Sequence, residues 1–235
     1  MDVYWTARRE EDVPECNDWL GPREKTHLRT LNFLKRRIEW RLGRWTAKCA
    51  LAALYHLPPD ADLLARIEIC PNPSGAPEAF MQDIPAELTL SISHRAGTAF
   101  CVVAPSLVRL GCDLEVIEPR SDAFICDYFT ADEKRRMEQA GTVEGPCLAN
   151  LFWSAKESAL KALQVGLRRD TRSVVVQLSE PFLTGRWNSL KVRSEEGDSF
   201  GGWWREFDGI VQTVVADRCF APPVQLARSS VVRAA

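Results

Sequence analysis

The chain has 235 residues, enough to bury a core as one domain or two small ones. It is 46% hydrophobic and 26% charged, and 30 basic against 32 acidic residues leave a formal net charge of −2. That near-balance gives no reason to expect sequence-independent nucleic-acid binding, so any anion site must be local. The eight cysteines, Cys16, Cys49, Cys70, Cys101, Cys112, Cys126, Cys147 and Cys219, show no CxxC spacing and do not cluster with His27, His56 or His94, so a zinc site is unsupported. No apolar run reaches about 18 residues, and the start lacks a basic region followed by an apolar stretch. Neither a membrane span nor a secretory signal is expected, and the chain reads as cytoplasmic with reduced thiols.

Residues 28–57 are rich in Leu, Ala, Arg and Trp, and Leu42, Trp45, Cys49 and Ala52 or Ala53 recur at steps of three and four. This spacing predicts an amphipathic helix ended by Pro58 and Pro59. Residues 71–77, with Pro71, Asn72, Pro73, Ser74, Gly75, Ala76 and Pro77, carry turn chemistry. Strands are expected over 88–93, 99–103 and 108–116, the first two joined tightly through His94, Arg95, Ala96 and Gly97. Thr130 and Glu133 form a capping box at a helix start. A further helix is expected over 149–163, ending near Gly166. The later strand candidates are 173–178, 190–193 and 210–216, and residues 221–235 read as a weakly patterned, disordered tail. Helix followed by strands thus occurs in each half, with no sequence repeat visible at this level, which suggests two packed α+β halves.

Three local patterns carry candidate chemistry. In Gly111-Cys112-Asp113-Leu114-Glu115, strand alternation puts the Asp113 and Glu115 carboxylates on one face, with Cys112 and Leu114 turned to the core. Paired carboxylates suit Mg²⁺ or Mn²⁺, although a solvated acidic strand end has the same pattern. In Trp153-Ser154-Ala155-Lys156-Glu157-Ser158-Ala159-Leu160-Lys161, Trp153, Glu157 and Lys161 stack at steps of four, as they also would in a surface ion pair anchored by a core tryptophan. Ser91-Ile92-Ser93-His94 ends a strand on a histidine, a position that is more often structural than functional.

Taken together and in this order, the patterns resemble the 4′-phosphopantetheinyl transferase superfamily, and within it the longer, monomeric, surfactin-type subclass. The family's GxDxE meets Gly111 to Glu115, its WSxKESxxK meets Trp153 to Lys161, and its downstream GL meets Gly166-Leu167. The histidine segment falls on Ser91 to His94, the GKP-like loop on Gly75-Ala76-Pro77, and the helical GR on Gly43-Arg44. The resemblance covers roughly residues 22–216. Two positions depart from it: Ala76 replaces the usual lysine, and His27 stands where Lys or Arg is usual. Both should weaken or reshape contacts to the nucleotide. Arg36, Arg37 and Arg41 beside Arg44 are either replacement charge or an exposed helix face.

The resemblance implies attack by a serine hydroxyl of an apo acyl or peptidyl carrier protein, a transient partner, on the β-phosphate of coenzyme A, releasing adenosine 3′,5′-bisphosphate. It implies a divalent metal, Mg²⁺ or Mn²⁺, on Asp113, Glu115 and Glu157. Lys161 and His94 would act on the phosphates, and Glu157 would also serve as general base, directly or through water. Coenzyme A would lie against Ser93, His94, Gly75, Ala76, Pro77, Arg44, His27 and Lys161, while Trp153 is read as a packing anchor. The implied fold is an α+β pseudo-dimer of two similar halves, about 1–112 and 113–220, with the site in the cleft between them, and a monomer is expected.

Overall fold

The computed structural model describes residues 1–58, 60–179 and 182–227, and only the backbone of Leu167. It is a mixed α+β structure whose contacts divide the chain into two units, residues 2–107 with 224–227, and Met1 with Val108–Pro223. The expected boundary at 112/113 would cut a strand that lies whole in the second unit. Among the described residues no helix is long and apolar enough to cross a membrane.

The first unit runs β1 (Tyr4–Arg9), α1 (Pro22–Thr30), α2 (Leu34–Leu54), α3 (Ala61–Ala65), β2 (Ile67–Pro71), β3 (Pro77–Met81), β4 (Ile84–Pro85), β5 (Thr89–Arg95) and β6 (Thr98–Ala104). One sheet has the order Val224–Gln225, β1, β6, β5, and a second has β2, β3, β4. Val224 and Gln225 pair in parallel with Tyr4 and Trp5, and Leu226 joins the core, so the start of the expected tail is ordered structure. Residues 228–235 lie outside the described residues. The turn chemistry of 71–77 makes a hairpin in which Pro71 pairs with Pro77.

The single helix expected over 28–57 is two helices. Leu31 and Phe33 are extended, Thr30 Oγ1 donates back to His27 O at 2.7 Å, and the Arg37 guanidinium donates to the terminal carbonyls of Leu28 and Leu31. Each of these contacts satisfies groups that a continuous helix would have used itself. The prolines do not end α2 either. His56 takes the left-handed conformation (φ 54°), with Leu57 N–H on Ala52 O and His56 N–H on Ala53 O, which closes the helix one turn earlier. Nor is α2 one-sided throughout, since Leu42, Gly43 and every residue from Trp45 to Ala52 are buried.

The second unit runs β7 (Leu110–Val116), α4 (Asp122–Tyr128), α5 (Ala131–Ala162), β8 (Val174–Leu178), β9 (Asn188–Ser194), β10 (Ser199–Phe207) and β11 (Ile210–Ala216). Its sheet is antiparallel throughout, in the order β7, β11, β10, β9, β8. The helix α5 begins on the expected capping box, with Thr130 N–H on Glu133 Oε2 (2.9 Å) and Glu133 N–H on Thr130 Oγ1 (3.3 Å). It is broken at Gly141 (φ 69°, ψ −166°) and contains Pro146. It is closed by the left-handed Gln164 (φ 57°), ahead of Gly166, by the same pair of hydrogen bonds that ends α2, Val165 N–H to Leu160 O and Gln164 N–H to Lys161 O.

The two units share more than their order of elements. In each, a long helix carries a fully buried lysine, Lys48 on α2 and Lys156 on α5, paired with a buried glutamate, Glu24 or Glu133. Each glutamate accepts the backbone N–H of its helix's N-cap residue, Gly21 or Thr130, and also a backbone N–H from a strand, that of Ile69 or Val176. Each lysine donates to buried carbonyls, Trp19 O and Leu64 O in one unit and Thr171 O in the other. The letters around them agree too: Trp45-Thr46-Ala47-Lys48 and Trp153-Ser154-Ala155-Lys156. This is a repeat that the sequence reading misses.

Candidate functional site

The acidic pair stands where strand alternation puts it, but on the covered face of the sheet. Asp113 lies opposite Thr213, and Glu115 opposite Val211. Val211 belongs to the core cluster that α5 helps to form, whereas Cys112 and Leu114 are buried on the other face and stand outside that cluster. Helix α5 lies hard against β7 at Gly111. A Cβ added there would come 1.9 Å from Ser158 O and 2.8 Å from Ala162 N, so only glycine permits this approach. The same helix is tied to β11 by Ser154 and Ser158, whose hydroxyls meet Thr213 Oγ1 at 2.9 and 2.7 Å.

Close packing sets the side chains of α5 over the acidic pair. Lys161 Nζ donates to Asp113 Oδ1 at 2.8 Å and to Cys112 O at 3.1 Å. The Trp153 indole N–H donates to Glu115 Oε1 at 3.1 Å, while its ring packs edge-on against Phe124 and Tyr128. Trp153 is therefore a packing anchor that also binds the site. Glu157 lies one turn from each, and its Oε1 is buried without a hydrogen-bond donor. Burial pushes the Glu157 carboxyl up to about 7; Asp113 adds to the push, Lys161 opposes it, and Glu115 adds a little more. Burial disfavours the Lys161 ammonium, but Asp113 and the Cys112 side outweigh it and hold the lysine above its ordinary range.

Three carboxylates at one place, one with a buried oxygen that takes no hydrogen bond, fit a hard divalent cation in donor type. Among the described residues no three His, Cys, Asp or Glu side chains already close on one point. Asp113 is turned onto Lys161, and Glu115 onto Trp153 and Arg120. Arg120, five residues beyond Glu115, carries no signal in the periodicity of the sequence.

The other expected residues lie in the first unit. Arg44, Gly75, Pro77 and His94 line one cavity of about 810 Å³, together with Lys35, Arg36 and Trp40. The Arg44 guanidinium sits 5.0 Å over the Trp40 ring, and its buried Nε has no acceptor. His27 packs against Trp40, with ring centroids 5.3 Å apart, and does not line the cavity. Burial, then the charges of Arg44 and Arg36, hold His27 below its ordinary pKa, so it does not replace a lysine as a fixed cation.

The four arginines of α2 divide between two settings. Arg36 and Arg44 face the cavity, while Arg37 and Arg41 donate to backbone carbonyls, Arg41 to those of Pro14, Glu15 and Cys16. Three expected residues of this unit do not line the cavity, His27 among them. Alternation along β5 sends Ser93 to the face opposite His94, where it is buried. Ala76 spends its N–H on Asn72 Oδ1 inside the hairpin turn, at 3.0 Å.

Compared with known proteins, residues 109–203 match the family model of the 4′-phosphopantetheinyl transferase superfamily. The matched stretch lies wholly in the second unit and includes Asp113, Glu115, Glu157 and Lys161; the cavity of the first unit lies outside it. No curated protein matches the chain.

Proposed function

We propose, from the match of residues 109–203 to the family model of the 4′-phosphopantetheinyl transferase superfamily, that this chain moves the 4′-phosphopantetheine arm of coenzyme A to a serine of an apo acyl or peptidyl carrier protein. The observation that carries the proposal is the gathering of Asp113, Glu115 and Glu157 with Lys161 where α5 meets β7. Asp113, Glu115 and Glu157 would hold a divalent cation, Mg²⁺ or Mn²⁺, which would supply charge neutralisation on the pyrophosphate.

The chain's own groups do the rest. Glu157 takes the proton of the serine hydroxyl, directly or through a water, as the serine oxygen bonds to the β-phosphorus. The bond from that phosphorus to the bridging oxygen breaks, and adenosine 3′,5′-bisphosphate leaves with the electron pair. Lys161 neutralises the charge that develops on the phosphates. In the first unit, Arg44, Lys35, Arg36 and His94 offer donors to phosphate oxygens, and Trp40 an aromatic face. With Ala76 in place of lysine, the hairpin contributes shape rather than charge.

The proposal keeps the finer features that the resemblance implies: a pseudo-dimeric, monomeric, cytoplasmic enzyme of the surfactin type, whose two units serve one reaction. The test is intact mass. Purified protein, coenzyme A, Mg²⁺ and a panel of apo carrier proteins should give a carrier heavier by one phosphopantetheine. The gain should vanish with EDTA and with Glu157→Ala. Coenzyme A binding without transfer to any carrier would instead mark a binding protein.

A further inference from the structure

The Glu115 carboxylate is held at both oxygens. Trp153 takes Oε1, and the Arg120 guanidinium donates to Oε2 at 3.0 Å. Arg120 is itself fixed on three sides. Its Nε donates to Asn150 Oδ1 at 2.8 Å, its guanidinium lies 4.9 Å over the Phe124 ring, and Glu118 stands 3.8 Å from Nη1. Asn150 has no freedom to turn its amide. Its two N–H groups go to Glu118 O and Pro146 O, both at 2.7 Å, which leaves Oδ1 for Arg120. Asn150 is fully buried on α5, and Arg120 and Glu115 are each 13% exposed at the side chain. The contacts therefore close a ring that starts and ends on α5: Asn150, Arg120, Glu115, Trp153.

From this ring we infer that Arg120 is a positioning residue for Glu115, fixing the plane of its carboxylate toward a divalent cation. The inference rests on the metal-dependent reading above. Each carboxylate oxygen accepts at more than one lone pair, so both hydrogen bonds leave Glu115 able to ligate. Without Arg120 the glutamate gains rotamer freedom, which a cation must remove on binding, and loses the charge that offsets its neighbours Glu157 and Asp113. Lysine is no substitute, because one ammonium cannot lie in plane with Asn150 Oδ1 and Glu115 Oε2 together.

The test is direct Mn²⁺ binding by the full chain, read from the electron paramagnetic resonance of the free ion. Melting temperature and transfer rate are measured beside it. Arg120→Ala and Arg120→Gln should each bind Mn²⁺ about 10- to 100-fold more weakly, and Arg120→Lys should not restore it. Transfer by these variants should recover in part at high metal concentration, with the KM for coenzyme A unchanged. A merely structural arginine would lower the melting temperature and leave the Mn²⁺ affinity of the folded protein alone. If Arg120→Ala does not fold, Arg120→Gln, which keeps the stem over Phe124, decides the matter. A folded variant that binds Mn²⁺ as tightly as wild type overturns the inference, whether or not transfer occurs. Wild-type protein that binds Mn²⁺, loses it on Arg120 substitution and modifies no carrier overturns the proposed function and leaves the role of Arg120 standing.

Discussion

Lys156 Nζ lies 2.9 Å from Glu133 Oε2, and the two side chains are 0% and 3% exposed. Burial pulls the lysine below its ordinary pKa, and Glu133 works against that fall. Such a pair is expensive to break and cheap to replace whole. Lys156→Met should cost about 3–5 kcal/mol in denaturant unfolding, and Lys156→Met with Glu133→Gln should recover much of the loss. Lys48→Met should do comparable damage through Glu24. In all of these the folded protein should keep its Mn²⁺ affinity, because neither lysine touches Asp113, Glu115 or Glu157 in the contacts described above.

Two of the motif glycines, Gly111 and Gly43, should behave oppositely. Gly111→Ala drives a methyl group into the backbone of Ser158, next to Glu157, so α5 must lift off β7. A loss of several kcal/mol, of the order of about 3, is expected together with weakened metal binding. Gly43→Ala meets only Ile92 Cγ2, at 3.4 Å, and sits inside a helix. It should be neutral or stabilise by up to about 1 kcal/mol, as judged by melting temperature.

Glu157 fixes a pH dependence whose sign follows from its shift. Its folded pKa of about 7 lies above the 4.5 of an ordinary glutamate, so between those values the folded chain holds a proton that the unfolded chain has released. Metal-free protein should therefore lose stability as pH rises from about 4.5 through 7, by at most about 3 kcal/mol from this group. Glu157→Gln should abolish that slope and melt higher than wild type at pH 8 in EDTA. If the two melt alike at pH 8, Glu157 is not the buried acid described.

Arg44 brings a half-buried cation, with an unused donor at its buried Nε, to its cavity. Arg44→Ala should weaken coenzyme A binding by about 10- to 100-fold, the range of a hydrogen bond to a charged group. Calorimetry with coenzyme A alone reads this without a carrier. Unchanged affinity would move the nucleotide elsewhere.

Local periodicity reaches some of this and not the rest. A period of two suffices to put Asp113 and Glu115 together, and a step of four to align Trp153, Glu157 and Lys161. Which face of the sheet they occupy is set by the passage of α5 over Gly111, a tertiary event. The break at 31–33 escapes because Arg37 and Thr30 stabilise it by reaching back to carbonyls, not by any breaker residue. Arg120 escapes because the path of a loop after a strand has no period. The Trp-Thr-Ala-Lys and Trp-Ser-Ala-Lys repeat is short enough to pass unnoticed until both lysines are found buried. Once seen, it divides a motif: tryptophan and lysine recur in both units, whereas the positions of Glu157 and Lys161 hold Cys49 and Ala53 in the first.

The break at Gly141 has a mechanical meaning. In an unbroken helix, residues 133 and 156 would stand about 35 Å apart, at 1.5 Å per residue. Because their side chains touch, the stretch from Ala131 doubles back on itself, and the ion pair is the rivet across the fold. A bend in a helix usually reads as a hinge. This one is a bracket, its two arms riveted inside the hydrocarbon core, and the arm that carries Glu157 and Lys161 cannot swing without stripping a buried charge of its partner.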